Sequence, residues 1–191
     1  MTPLIILGVL VLAPALFILV QYNGLVTLRN YISESWANVD TELKRRYDLI
    51  PNLAATVKGY AAHERETIER VIALRNQCAA NNGSPGEQAR DEVQLVNAMR
   101  QFLAVIENYP LLKADQHFLR LQQELVNTED RIQAARRFYN GNVRDYRNKR
   151  ESFPGNIVAG MFGFQPHDFF EVPPSVKEAP NVDLGAADRQ T

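Results

Sequence analysis

Residues 3–20 read PLIILGVLVLAPALFILV, and residues 21–50 follow directly as QYNGLVTLRNYISESWANVDTELKRRYDLI. The first part is 18 residues without a charge or a strong hydrogen-bonding side chain. As a helix it measures about 27 Å, close to the ~30 Å hydrocarbon thickness of a bilayer. In the second part Leu25, Leu28, Ile32, Trp36, Val39, Leu43, Tyr47 and Ile50 recur at steps of three or four. That is the period of an amphipathic helix with one buried stripe. An oily segment that runs without a linker into such a stripe predicts an all-α fold. Residues 1–21 are expected as a transmembrane helix that continues into an elongated antiparallel four-helix bundle.

The apolar run has a competing reading as a cleaved signal peptide, because Ala13-Pro14-Ala15 loosely imitates a small-x-small cleavage site. Against it stand the lack of a positive stretch ahead of the run, the proline inside the site and the five apolar residues that follow. No cysteine follows the run, which excludes a lipoprotein. Tyr22 falls where an interfacial aromatic belongs. Arg29 is the one Lys or Arg within 20 residues after the span, against none before it. The positive-inside rule therefore leans toward a cytoplasmic C-terminal part without fixing the orientation. The chain is expected to cross a membrane once.

Downstream the helical period continues through Leu53, Val57, Tyr60, Ile68, Val71 and Ile72. Pro51 interrupts it, either as the first turn of a new helix capped by Asp48 or as a kink in one long helix. The stripe keeps its phase across Pro51, which favours the kink; the short connection from Tyr47 to Ile50 also permits a hairpin. Asn81-Asn82-Gly83-Ser84-Pro85-Gly86 is a loop of breakers, and Tyr109-Pro110 is a second break. Helices are expected over about 22–47, 51–80, 87–108 and 111–150, within a bundle domain of residues 22–151. Residues 152–170 form an aromatic C-terminal strap. From Glu171 the tail 171–191 carries prolines, no aromatics and few aliphatics, a composition that does not support a core.

The whole chain is 191 residues, 46% hydrophobic and 23% charged, with a net charge of -1. That balance excludes a strongly basic nucleic-acid binder. A single cysteine, Cys78, excludes an intrachain disulfide framework and a cysteine metal cluster. His63-Glu64 opens like a zinc-protease motif, but Thr67 stands where the second histidine belongs. No phosphate-binding glycine loop and no G-x-S-x-G nucleophile elbow occurs. No enzyme activity, catalytic residue, cofactor or metal is expected.

Three features ask for a mechanism. The charge cluster Lys44, Arg45, Arg46 and Asp48 winds around the helix, so part of it meets the core side; Arg45 or Arg46 is expected to pair with Asp40, Glu42 or Asp48. Asn38, Asn52, Asn140 and Asn142 are read as amides on the apolar stripe that set register. Phe138, Tyr139, Tyr146, Phe153, Phe162, Phe164, Phe169 and Phe170 gather toward the C-terminus, a patch too apolar to be left in water. Among these Phe153, Phe162, Phe164, Phe169 and Phe170 are the candidate interaction residues, as a strap over the bundle or as a lip toward lipid or a neighbouring subunit.

Several segments together resemble one family. They are Tyr22–Asn30, Ser35-Trp36-Ala37-Asn38-Val39-Asp40, Leu43–Leu53 (LKRRYDLIPNL), Val57-Lys58-Gly59-Tyr60-Ala61 and His63-Glu64. Later come Tyr109-Pro110, Glu129, Arg131-Ile132, Arg136, Tyr139-Asn140, Val143, Tyr146, Phe153-Pro154-Gly155-Asn156 and Phe162-Gly163-Phe164. In this order, over roughly residues 20–165, they resemble the LemA family of bacterial membrane proteins. The resemblance implies a single-pass protein with a four-helix soluble part, and it carries over no catalytic residue. It also implies an association of some members with membrane organelle formation or membrane-protein quality control. The expected function is a non-enzymatic, membrane-anchored scaffold that self-associates and organises or shapes the membrane. The alternatives are an adaptor that presents a membrane protease or its substrate through the C-terminal segment, and a ligand pocket between helices. The expected partners are membrane lipid, further copies of the chain and a membrane protein, with no nucleic acid.

Overall fold

The computed structural model describes residues 2–171, all helices and connections with no strand among them. Helix α1 spans Thr2–Lys58, α2 Arg65–Ala80, α3 Pro85–Ile106, α4 Pro110–Lys113, α5 Gln116–Glu151 and α6 Gly155–Met161, with a 3-10 turn at Ala62–Glu64. The tail expected beyond Glu171 lies outside the described residues.

Helix α1 is 57 residues long and carries both Pro14 and Pro51. It is the one helix among the described residues long and apolar enough to cross a membrane. Its buried stripe is Leu25, Ile32, Val39, Leu43, Tyr47, Ile50, Leu53 and Val57, the same phase on both sides of Pro51. Of the two options at Pro51, the chain takes the uninterrupted helix. The missing N–H of Pro51 leaves the Tyr47 carbonyl without its helical donor. Arg75 supplies one from α2, Nε to the Tyr47 carbonyl at 2.8 Å. The reversal expected near Tyr47–Ile50 falls instead after Lys58. There the Gly59–Ala61 turn closes with the Tyr60 and Ala61 N–H groups on the Val57 carbonyl.

From that turn the chain goes up and down. Arg75 of α2 faces Tyr47, Gln77 and Asn81 reach Asp91 of α3, and Tyr109 bonds Glu64. Each successive helix is therefore antiparallel to the last. Ser84 caps α3 in a capping box with Glu87, with Pro85 at its start. Asp115 caps α5 through the Phe118 N–H at 2.8 Å and also accepts from Tyr60 at 2.9 Å. These backbone and hydroxyl donors hold the Asp115 carboxyl below its ordinary value. Helix α5 descends along α1 as far as Gly24, as Arg46–Glu129, Asn142–Tyr31 and Lys149–Gly24 record.

Four helices share only the upper part of the bundle, because α2 and α3 have 16 and 22 residues against 36 in α5. Below the 81–84 loop, α1 and α5 run on as a pair. Two helices cannot shield a core between them, and the C-terminal segment closes the gap. Val158 and Ala159 of α6 and then Phe164 and Phe170 are buried against the pair. Gly155 makes this possible, since a Cβ there would stand 2.1 Å from the Lys149 carbonyl oxygen. Gly163, at φ 68°, turns the chain back upward after α6, and the Phe164 N–H returns to the Ala159 carbonyl at 3.0 Å.

Candidate functional site

The lower end of the bundle meets the apolar run directly. Leu16, Phe17, Leu19 and Val20 are exposed, whereas Ile18 packs against the core. Two residues past Val20, the Tyr22 ring touches Phe162 and Phe164, centroids 4.9 and 5.5 Å apart. The aliphatic stem and ammonium of Lys149 lie across Gly24, where a Cβ would collide with them. Above, Arg29 sits 5.7 Å from the Phe164 ring centroid. Arg150 donates to the Phe164 carbonyl at 2.9 Å, Tyr146 to the Gln165 carbonyl at 2.7 Å and Tyr139 to the Asp168 carbonyl at 2.7 Å. Asn140 finishes the seam by exchanging two bonds with the Phe170 backbone, at 2.9 and 3.1 Å. The Trp36 ring packs on Tyr139 and Phe170 at 5.2 and 5.5 Å. Four strap carbonyls, those of Phe164, Gln165, Asp168 and Phe170, thus accept from side chains of α5.

The expected interaction residues divide. Phe164 and Phe170 are buried and Phe169 half-buried, so these serve the strap. Phe153, at 81% exposure, and Phe162, at 52%, point outward. Ile157 and Met161 of α6 point outward too, one turn apart. The last two were not among the expected residues, because a short glycine-rich segment offers no period from which a face can be read. Of the four asparagines, Asn140 holds the strap and Asn142 donates to the Tyr31 carbonyl at 3.2 Å. Asn38 and Asn52 are exposed, off the buried stripe and not register-setting.

The charge cluster is likewise split. Lys44 pairs with Asp40 at 2.7 Å on the surface, and exposed Arg45 lies 3.6 Å from half-buried Glu42, whose Oε2 has no hydrogen-bond donor among the described residues. Asp48 is 81% exposed, 3.8 Å from Arg75. Arg46 is the core-side member and finds none of its expected sequence neighbours. It is buried between Glu92 of α3 at 2.6 Å and Glu129 of α5 at 2.5 Å. Glu92 also accepts from Tyr47. Burial raises the Glu92 carboxyl above its ordinary value despite Arg46 alongside, and burial beside Glu92 pushes the Tyr47 hydroxyl up as well. Cys78 is buried on the same side of the bundle, its thiol pushed up to about 12, chiefly by burial. These directions are opposite to those of an activated nucleophile. The arrangement ties α1, α3 and α5 together through one guanidinium. The signal for it was a charged residue in stripe phase: Arg46 between Leu43 and Ile50, and Glu92 between Ala89 and Leu95.

Comparison with known proteins supplies the context. The model of the LemA family matches residues 35–184. Magnetosome protein MamQ 2 of Paramagnetospirillum magneticum is 24% identical over 183 residues, covering 83% of this chain and 67% of the relative. Magnetosome protein MamQ of Magnetospirillum gryphiswaldense is 23% identical over 199 residues, covering 90% and 73%. Protein LemA of Metamycoplasma hominis is 26% identical over 140 residues, covering 72% and 63%.

Proposed function

The chain belongs to the LemA family, and on that premise we propose a non-enzymatic helical scaffold, anchored once in the bacterial inner membrane, that self-associates to organise the bilayer. The observation that carries this reading is the continuity of α1 from the apolar run into the bundle. A helix that leaves the bilayer without a linker gives the bundle a fixed direction, and lateral contact between such rods then acts on the membrane. At 1.5 Å per residue α1 extends about 57 Å beyond Val20. Exposed Leu119 and Val126 lie seven residues apart on one outer face of α5 and offer an apolar stripe for a second rod. The buried ionisable groups support a structural role, since Arg46, Glu92 and Tyr47 are spent on one another. The resemblance of the chain to magnetosome proteins fits a role in shaping membrane, without assigning this chain to that organelle.

The adaptor alternative needed the C-terminal phenylalanines free. Phe164 and Phe170 are buried while Phe153 and Phe162 stay exposed, so truncation after Glu151 would disturb folding as well as any partner contact. The scaffold reading is tested on the full chain in a mild detergent and in native membranes. Light scattering and in-membrane crosslinking should give discrete assemblies larger than one copy. A strict monomer in both settings refutes it, and Leu119→Glu with Val126→Glu should reduce assembly while leaving helicity unchanged.

A further inference from the structure

Four large apolar side chains, Phe153, Ile157, Met161 and Phe162, stand exposed at 81, 53, 64 and 52% within ten residues of chain. The opposite face of the same short segment, Gly155, Val158 and Ala159, is buried against α1 and α5. Helix α6 is therefore apolar both inward and outward, unlike a helix that ends in water. Its position explains the difference. Phe162 rests on Tyr22, two residues beyond the charge-free run. Ile18, inside that run, already packs against the core that α6 completes. Through Phe162 on Tyr22 the patch thus adjoins the stretch of α1 that exposes Leu16, Phe17, Leu19 and Val20. Basic groups stand just above it. Lys149 lies at Gly24, Arg150 on the strap and Arg29 over Phe164, against Glu151 as the neighbouring acid, paired with Arg147.

We propose that α6 and its flanks form a second contact with the same bilayer: Phe153, Ile157, Met161 and Phe162 enter the boundary of headgroups and acyl chains beside α1, with Lys149 and Arg150 at the level of the lipid phosphates. The occupant is lipid, because the patch adjoins the apolar run through Phe162 on Tyr22 and carries the apolar-below, basic-above order of an interfacial anchor. The collar gives the rod two attachment points and so fixes its tilt, which a single helix does not. This inference rests on the anchoring reading above.

The test uses the full chain in nanodiscs of mixed zwitterionic and anionic phospholipid. Met161→Cys and Ile157→Cys, each at an exposed position, carry an environment-sensitive fluorophore; native Cys78 is buried and stays unlabelled. Leu111→Cys, 79% exposed in α4 at the far end of the bundle, is the reference. The expected result is a blue-shifted emission at 157 and 161, quenched several-fold more than at 111 by lipids brominated on the upper acyl chain. Emission at 157 and 161 that matches the reference, with the protein still in the disc and fully helical, overturns the collar alone. A blue shift without lipid quenching, meaning that protein covers the patch, overturns it too. Loss of the chain from the discs overturns the anchoring reading and the collar with it.

Discussion

Replacing Arg75 should damage α1 at Pro51, a residue it does not touch in sequence. A proline inside a helix removes one hydrogen bond and costs roughly 3 kcal/mol or more when nothing compensates. Here the orphan is the Tyr47 carbonyl, and the Arg75 guanidinium reaches it at 2.8 Å. A hydrogen bond from a charged donor in a half-buried place contributes about 1.5–3 kcal/mol, so Arg75→Leu should cost about that. Asp48, 81% exposed and 3.8 Å from the guanidinium, adds little. Pro51→Ala supplies the carbonyl with a backbone donor. In that background Arg75→Leu should cost less than about 1 kcal/mol, a coupling of about 1–2 kcal/mol in the double-mutant cycle. Urea unfolding of the full chain in micelles, followed by far-ultraviolet circular dichroism, reads all four corners. Equal losses from Arg75→Leu in both backgrounds would show that the arginine acts by packing and would refute the substitution of its N–H for the missing one.

Arg46→Met should destabilise by about 3–5 kcal/mol at neutral pH, because it leaves Glu92 buried without a counter-charge. The loss should shrink in acid, where Glu92 takes up a proton, and chemical unfolding at two pH values checks both. Glu92→Gln isolates that titration in the native protein. The folded carboxyl lies above its ordinary 4.5, so its contribution to stability is fullest below that value and is lost as pH rises through the raised one. The stability of wild type relative to Glu92→Gln should therefore fall across that window and then level. Cys78, with its thiol at about 12, should resist disulfide exchange reagents at pH 8 and react at once in denaturant. Asn140→Ala removes both bonds to the Phe170 backbone. It should release the strap for proteolysis between Phe164 and Phe170 while the four-helix part stays protected, which mass analysis of the fragments will show.

The long stripes were legible because each needs only its own period. The phase kept across Pro51 was enough to favour one helix, yet the place of the reversal was not readable. The unbroken helix at Pro51 is supported by Arg75, which reaches the Tyr47 carbonyl from another helix 28 positions away. The same reason hid the partners of Arg46. Sequence proximity suggested Asp40, Glu42 and Asp48; Asp40 and Glu42 take the neighbours Lys44 and Arg45, and Asp48 lies near Arg75 of α2. The buried arginine takes buried Glu92 on α3, whose stripe phase was a signal, and half-exposed Glu129 on α5, which resembles any solvated acid until the helices are packed. The strap was legible as composition only. Irregular backbone has no period, so the sequence placed Phe162 and Phe164 in one segment without showing that Phe164 is buried and Phe162 half-exposed, both against Tyr22.

The division of labour along that segment follows from the lengths of the helices. If α2 and α3 reached as far down as α5 does, four helices would cover Leu25 and Ile32, and the C-terminal aromatics would have no buried surface to occupy. Because they stop at the 81–84 loop, the α1–α5 pair needs a third layer at the end where α1 enters the apolar run. The strap is that layer, and its seating by Tyr139, Asn140, Tyr146 and Arg150 fixes where α6 must lie. The apolar face left over on α6 is then held at the level of Tyr22. Core closure and the outward patch are consequences of one chain reversal at Gly163. A change that unseats the strap would therefore disturb the upper junction at Trp36 and the lower surface at Phe162 together, and this makes residues 152–170 the link between the bundle and the apolar run of α1.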